Sequence, residues 1–239
     1  PLNPFKLLDC FIQLLLNESL GQNQRNGRIK SRHRNITTTN RGLEFFSNTE
    51  QNRIMNKQDC ILFSGGAKGS EAAFGAIAEE HGIEEVNFSF EGHSIERQRG
   101  LRVLNHEELL RGDVSLEYVS RLMNRRYTET PTLRKLLQSI WYQVNSGQEI
   151  YVIGEILEDR TVKGGTGWGA EFAKLCNKPL YVFDQKQSCW FNWKQTDWEQ
   201  NAENNLPIIS HSHFSGSGTR FLEDNGRNAI SELFRRSFS

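Results

Sequence analysis

Two stretches of this sequence place a short apolar run, a glycine-rich turn and a helix-compatible stretch in succession. In the first, CILFS (60–64) enters SGGAKGSE (64–71), and in the second, EIYVIG (149–154) leads to VKGGTGWGAEFA (162–173). Each is followed by another apolar run, VNFSF and PLYVFD respectively. Two strands that are joined through a helix run parallel. Two such units therefore predict an open parallel sheet with helices on both faces.

Apolar spacing elsewhere extends this α/β pattern, although residues 94–130 show a weak pattern that predicts no particular element. We predict a single doubly wound Rossmann-like α/β domain with a mostly parallel sheet of about five to seven strands. The elements expected in addition to the four strands are helices over 70–82, 132–147 and 169–177, an edge hairpin at WFNW (190–193), a strand at LPIIS (206–210) and a last helix with Ala229, Ile230, Leu233 and Phe234 facing inward.

Residues 1–54 differ in composition from the rest of the chain. They hold 8 Lys and Arg against 4 Asp and Glu, which leaves 21 basic and 25 acidic residues for the remainder. From Asn17 to Asn56 the sequence is rich in Asn, Gln, Arg, Ser and Thr. Such a composition buries too little apolar surface to offset the entropy lost on ordering. We therefore predict a poorly ordered, dispensable N-terminal extension over 1–54 and a folded domain over 55–239.

Composition also argues against several classes of protein. The apolar patch LLDCFIQLLL (7–16) contains Asp9 and is shorter than the ~18 residues of a membrane span, so we expect no membrane partner. The four cysteines form no CxxC pair and the histidines show no zinc spacing, which predicts free thiols, no metal and a cytoplasmic protein. The acidic excess after residue 54 makes a nucleic-acid partner unexpected, because such partners require clustered Lys and Arg.

The glycine turns are the candidate ligand site, because ligands of open parallel sheets bind outside the carboxyl ends of the strands. Glycine lets backbone N–H groups approach an anion, and the helix that follows directs its positive end at the same anion. A third turn, GSGTR (216–220), adds a hydroxyl and a guanidinium before the last helix. The candidate ligand-binding residues are Ser64, Gly65, Gly66, Lys68, Gly69, Glu71, His93, Gly164, Gly165, Thr166, Gly167, Trp168, Gly216, Gly218, Thr219 and Arg220.

Trp168 has two interpretations, since it either stacks on a base or ribose or packs into the core. Neither glycine turn has the dinucleotide spacing GxGxxG or the spacing of a P-loop, which disfavours a nicotinamide cofactor and NTP hydrolysis. We expect no cofactor. The expected partner is a nucleotide-like small molecule, and a homodimer is compatible with the sequence.

SGGAKGSE followed by GGTGWGAE resembles the SLOG superfamily, Rossmann-like domains that include cytokinin-activating phosphoribohydrolases, DNA-processing proteins of the DprA type and sensors of nucleotide signals. Gly164, Gly165, Gly167 and Glu171 keep the spacing of the PGGxGTxxE pattern of the phosphoribohydrolases, while Trp168 replaces the threonine and Val162-Lys163 the proline context. The order SGGAxGxE, GGTGW, YVFD, GSGTR over residues 59–236 also resembles uncharacterised microbial and phage members.

The resemblance implies binding of a nucleotide or a nucleotide-derived molecule, and it leaves turnover open. If the protein is an enzyme, the resemblance implies hydrolysis of an N-glycosyl bond in a nucleoside 5'-monophosphate or a related ribosyl compound. Glu171 would then be the catalytic carboxylate, because positive charge grows on the sugar in the transition state. A role in binding single-stranded DNA, of the DprA kind, is the remaining alternative.

Overall fold

The computed structural model describes residues 56–127 and 130–238. The predictions for residues 1–54 lie outside the described residues, and the domain boundary at 54/55 stays a prediction. In chain order the strands are β1 (Ile61–Ser64), β2 (Glu84–Phe90), β3 (Leu101–Leu104), β4 (Glu149–Gly154), β5 (Leu180–Asp184), β6 (Cys189–Trp193), β7 (Trp198–Gln200) and β8 (His213–Gly218). The helices are α1 (Ser70–Glu80), α2 (His106–Leu110), α3 (Asp113–Leu122), α4 (Pro131–Ser146), α5 (Thr166–Leu175) and α6 (Asp224–Phe238).

The eight strands form one sheet in the order β3-β2-β1-β8-β4-β5-β6-β7. The first six strands in this order pair parallel, and β6 and β7 add an antiparallel edge to β5. From β1 the chain passes through α1 to β2, toward the β3 edge of the sheet. From β4 it passes through α5 to β5, toward the β7 edge. The last strand, β8, lies between β1 and β4, at the point where the two directions diverge.

Helices cover both faces of the sheet, so the domain has two apolar cores. Strand β4 is buried along its whole length and divides its side chains between them, as expected for a central parallel strand. Ile150 and Val152 pack with helices α2 to α5, whereas Tyr151 and Ile153 pack with α1 and α6. This arrangement confirms the doubly wound Rossmann-like α/β prediction. None of the helices in the described ranges is long and apolar enough to cross a membrane.

Most predicted elements are present. The strand predicted at 149–154 has the predicted bounds, the WFNW segment is part of the β6–β7 hairpin, and Ala229, Ile230, Leu233 and Phe234 are buried on α6. The segment 94–130, for which no element was predicted, contains β3, α2 and α3.

Four predictions were wrong. LPIIS (206–210) forms no strand, and the segment GSG at 216–218, interpreted as a turn, is the end of β8. Helix α5 begins at Thr166 inside the glycine-rich segment, three residues before the predicted start at Gly169. The sheet also has eight strands, one more than the upper limit predicted.

Candidate functional site

The carboxyl ends of β1, β8 and β4 lie side by side, because these strands are neighbours and run parallel. The loops that follow them, residues 65–69, 219–223 and 155–165, therefore leave the sheet at one edge. The connections after β1 and β4 diverge at this position, which is therefore the topological switch point of the sheet. We call the space outside these strand ends the crevice. The first and second glycine-rich segments are thus on the same edge of the sheet.

The first turn and the end of β8 are joined by hydrogen bonds. The Ser70 N–H and hydroxyl both donate to the Thr219 carbonyl, at 3.0 and 2.8 Å, and the Ser64 hydroxyl donates to the Gly216 carbonyl at 2.7 Å. A Cβ on Gly69, which has a φ of +94°, would lie 2.6 Å from the Arg220 backbone. Only glycine permits this approach. The bare backbone of the first turn therefore contacts the loop after β8.

Glu71 lies under the first turn, where it is 7% exposed. Its carboxylate accepts the Ala67 N–H at 3.1 Å and the Ser217 hydroxyl at 3.2 Å, and it is hydrogen bonded to Gln143 of α4. Desolvation by burial raises the pKa of this carboxyl above its usual value, against the lowering effect of these hydrogen bonds. Glu71 thus links α1, β8 and α4 beneath the crevice and already occupies one amide of the glycine turn.

The second glycine-rich loop leaves the sheet from β4 and is held by two charged side chains. The buried Asp184 carboxylate at the end of β5 accepts the Ile156 N–H at 2.8 Å, and the Arg125 guanidinium donates to the Val162 carbonyl and the Thr161 hydroxyl. A Cβ on Gly164 or Gly165 would meet no atom within 4 Å. The loop is therefore fixed at its base and open at the amino end of α5.

Glu171 lies in the second turn of α5, because that helix starts at Thr166. Its carboxylate forms an ion pair of 2.7 Å with Lys174, and the two side chains are only 13% and 10% exposed. Lys174 also donates to the Arg160 carbonyl at 2.8 Å and lies over the rings of Trp193 and Trp198. This cluster ties α5 to the β6–β7 hairpin, and the Glu171 carboxylate is bound within it.

Two other candidate residues also have partners within the protein. Trp168 is buried in the first turn of α5, with its ring centroid 5.7 Å from that of Tyr127, so it packs in the core. His93 follows β2 and stacks on Phe90 at 4.6 Å, and Ser89 lies within hydrogen-bonding distance of its Nδ1 atom. Desolvation by burial lowers the pKa of His93.

The cationic rim of the crevice, defined here as Lys68 and Arg220, remains open. Both side chains are exposed. Their backbones lie close together because Gly69 packs against Arg220. Neither forms an ion pair with an acidic side chain of the described ranges, whereas Lys163 and Lys186 at the same edge both pair with Glu155. Thr166, the first residue of α5, and Thr219, the residue after β8, are partly exposed.

Phe221, which lies beside this rim, was not among the candidate residues chosen from the sequence. It follows Arg220 directly, is 71% exposed and lies at the end of the central strand. The only signal in the sequence was its position directly after GSGTR.

A recess of about 580 Å³ lies beside this crevice, outside the ends of β4 and β5. It is lined by four acidic residues and by Lys186, whose ammonium group pairs with one of those acids. Its negative potential disfavours an anion. Within the described ranges no cluster of His, Cys, Asp or Glu has the arrangement of a metal site.

The fold and this edge define a doubly wound α/β protein with a polar crevice at its topological switch point. No protein-family model matches the sequence, and no curated protein is significantly similar to it. Among solved structures, the chain is similar to the crystal structure described as "Putative molybdenum carrier protein" from Syntrophus aciditrophicus SB. The match has 14% sequence identity and a TM-score of 0.45, and it covers 77% of this chain and 98% of that chain.

Proposed function

We propose that this domain binds a nucleotide or a nucleotide-derived small molecule at the carboxyl edge of its sheet, outside β1, β8 and β4. The observation that carries the proposal is the cationic rim. Lys68 and Arg220 are exposed, neither pairs with an acidic side chain of residues 56–127 or 130–238, and their backbone segments meet where Gly69 packs against Arg220. A guanidinium binds phosphate through two hydrogen bonds, and a lysine binds it as a point charge. The motifs quoted above also support membership of the SLOG superfamily as part of this proposal.

Binding without turnover fits the positions of the acidic residues. The carboxylate of Glu171 pairs with Lys174 on the side of α5 that faces the β6–β7 hairpin, and Glu71 is enclosed by its own hydrogen bonds. A small molecule is preferred over single-stranded DNA because the residues after position 54 include 21 basic and 25 acidic side chains. Broad contact with a phosphate backbone needs a surplus of cations.

The test compares ligands that differ in one group, using calorimetry and thermal unfolding at low salt. AMP and ribose 5-phosphate are expected to bind and to raise the melting temperature, and adenosine, which lacks phosphate, is expected to bind at least tenfold more weakly. The double variant Lys68→Ala/Arg220→Ala should lose at least tenfold in affinity for both phosphate compounds.

The matched control is Lys57→Ala/Arg235→Ala, which removes one exposed lysine and one exposed arginine. Lys57 precedes the amino end of β1, and Arg235 lies in the last turn of α6. The control variant should bind AMP as the unsubstituted protein does. Failure of every phosphate compound to bind, or an equal loss in the control, would refute the proposal. Release of ribose 5-phosphate from AMP, abolished by Glu171→Gln, would instead identify a hydrolase.

A further inference from the structure

Phe221 is the most exposed large apolar side chain of the described ranges, at 71%. The other apolar side chains at the strand ends of this edge are largely covered, including the Trp168 ring, for which base stacking was one of two interpretations from the sequence. A single exposed apolar residue needs no special explanation on most surfaces. Here, however, it stands directly beside the cationic rim that the proposed function requires.

Hydrogen bonds to Gln185, which follows β5, and to β4 fix the backbone of the loop that carries Phe221. The Phe221 N–H donates to the Thr219 hydroxyl at 3.1 Å, and its carbonyl accepts the Gln185 side-chain amide at 3.1 Å. Gln185, at the end of β5, also accepts the Glu223 N–H at 2.8 Å, and its carbonyl accepts the Asn225 amide at 2.7 Å. Thr219 is in turn fixed to β4, because its N–H donates to the Ile153 carbonyl at 2.9 Å.

These bonds fix a short loop that presents two side chains to solvent. The guanidinium carbon of Arg220 lies 4.9 Å from the centroid of the Phe221 ring. The ring supplies an apolar face and the guanidinium supplies a positive charge, and the two are close enough for one small molecule to contact both. An aromatic ring on a fixed backbone loses little entropy when a planar group stacks on it.

We propose that Phe221 is the stacking platform for the nucleobase of the ligand, with the phosphate on Arg220 and Lys68. This inference rests on the proposed function and specifies its ligand class as a phosphate ester that carries an aromatic base, as opposed to a plain sugar phosphate. Base stacking on an aromatic side chain tolerates different bases, because every base has a π-face. The site therefore favours nucleotides in general over ribose 5-phosphate and discriminates weakly among bases.

The experiment measures the ratio of the affinities for AMP and ribose 5-phosphate by calorimetry. The unsubstituted protein should bind AMP about tenfold more tightly, and Phe221→Ala should abolish this advantage while it leaves the affinity for ribose 5-phosphate unchanged. Phe221→Trp should restore the advantage, and its added indole fluorescence should be quenched by AMP and not by ribose 5-phosphate. The matched control is Tyr118→Ala, which removes another exposed aromatic ring from α3, away from this edge.

The possible failures are distinguishable. If neither compound binds to the unsubstituted protein, the proposed function fails and the inference fails with it. If both compounds bind and Phe221→Ala keeps the preference for AMP, the binding proposal stands and the stacking inference is overturned. Binding of an oligothymidylate that depends on Phe221, without binding of AMP, would identify a nucleic-acid strand as the ligand and would also overturn it.

Discussion

At the scale of single residues, the two glutamates that follow the glycine turns both bind groups within the protein. The Glu71 carboxylate accepts hydrogen bonds from the first turn and from β8. The Glu171 carboxylate forms an ion pair with the nearly buried Lys174. Spacing alone does not separate a carboxylate that faces a crevice from one that stabilises the fold. The difference depends on the direction of the side chain, which packing determines.

Glu71 is expected to make stability depend on pH. Burial raises the pKa of its carboxyl in the folded state above the usual value of 4.5, so the folded protein retains a proton that the unfolded chain releases. Its contribution to the free energy of unfolding is therefore largest below about pH 4.5 and declines as the pH rises toward the folded pKa. Glu71→Gln removes this titration, so the substituted protein should lose less stability than the unsubstituted protein between pH 5 and pH 7.5.

Urea unfolding at several pH values measures this difference. Comparison of the two proteins cancels the opposite slope from Asp113, whose pKa is lowered because hydrogen bonds from Arg134, Gln138 and Tyr127 outweigh its desolvation. Parallel curves for the two proteins across this range would show that Glu71 titrates normally in the folded state.

Residue chemistry selected Lys68 and Arg220 as candidate ligand contacts, and it left two interpretations open for Trp168. Lys68 and Arg220 lie at the crevice as the turn motifs indicated, and they stay proposed ligand contacts. For Trp168 the sequence allowed base stacking or core packing, and the structure has the second, because the early start of α5 directs the ring into the core. Phe221 could not be selected from the sequence, because its exposure results from bonds made by Gln185 and Thr219.

At the scale of elements, runs of apolar residues predicted the strands β1, β2, β4 and β5, and the strand β8 was missed. Its sequence, HFSGSG, contains one apolar side chain. It is nevertheless a central strand, since it pairs with β1 and β4. Its small residues leave room for Phe74 beside Gly216 and bring the Ser217 hydroxyl to Glu71. Strand propensity depends on such neighbours, which local patterns do not contain.

Because β8 is a packed central strand, alanine at Gly216 should destabilise the protein, whereas alanine at the exposed Gly165 should not. A Cβ at Gly216 would lie 2.5 Å from the ring of Phe74, which is fully buried and cannot move aside. Gly216→Ala should therefore lower the free energy of unfolding by about 1–3 kcal/mol, as overpacking does in other cores. Gly165→Ala is the control, because its added methyl meets open space and its φ of −63° suits alanine.

Gly165→Ala should leave the free energy of unfolding unchanged or raise it by up to about 1 kcal/mol, since alanine restricts the unfolded chain. Denaturant titration of both variants provides the comparison. Equal stabilities would mean that β8 accommodates a larger residue and that its small side chains have a different cause.

At the scale of the whole molecule, one sheet serves two cores that share no helix. Helices α2 to α5 cover one face, and α1 and α6 cover the other. The strands β4 and β5 contribute side chains to both faces in alternation. Loss of packing on one face should therefore disorder the strands on which the other face depends.

The final prediction concerns this coupling between the faces. Leu137→Ala empties part of the core under α4, and Ile230→Ala does the same under α6, each at a position exposed by 1% or less. Each should lower the free energy of unfolding by about 2–5 kcal/mol, and Val114→Ala, at a 63% exposed position, should change it by less than about 0.5 kcal/mol. Because the sheet is shared, amide exchange in α4 should accelerate as much in Ile230→Ala as in Leu137→Ala. Acceleration confined to the helices of the substituted face would show that the two layers unfold separately.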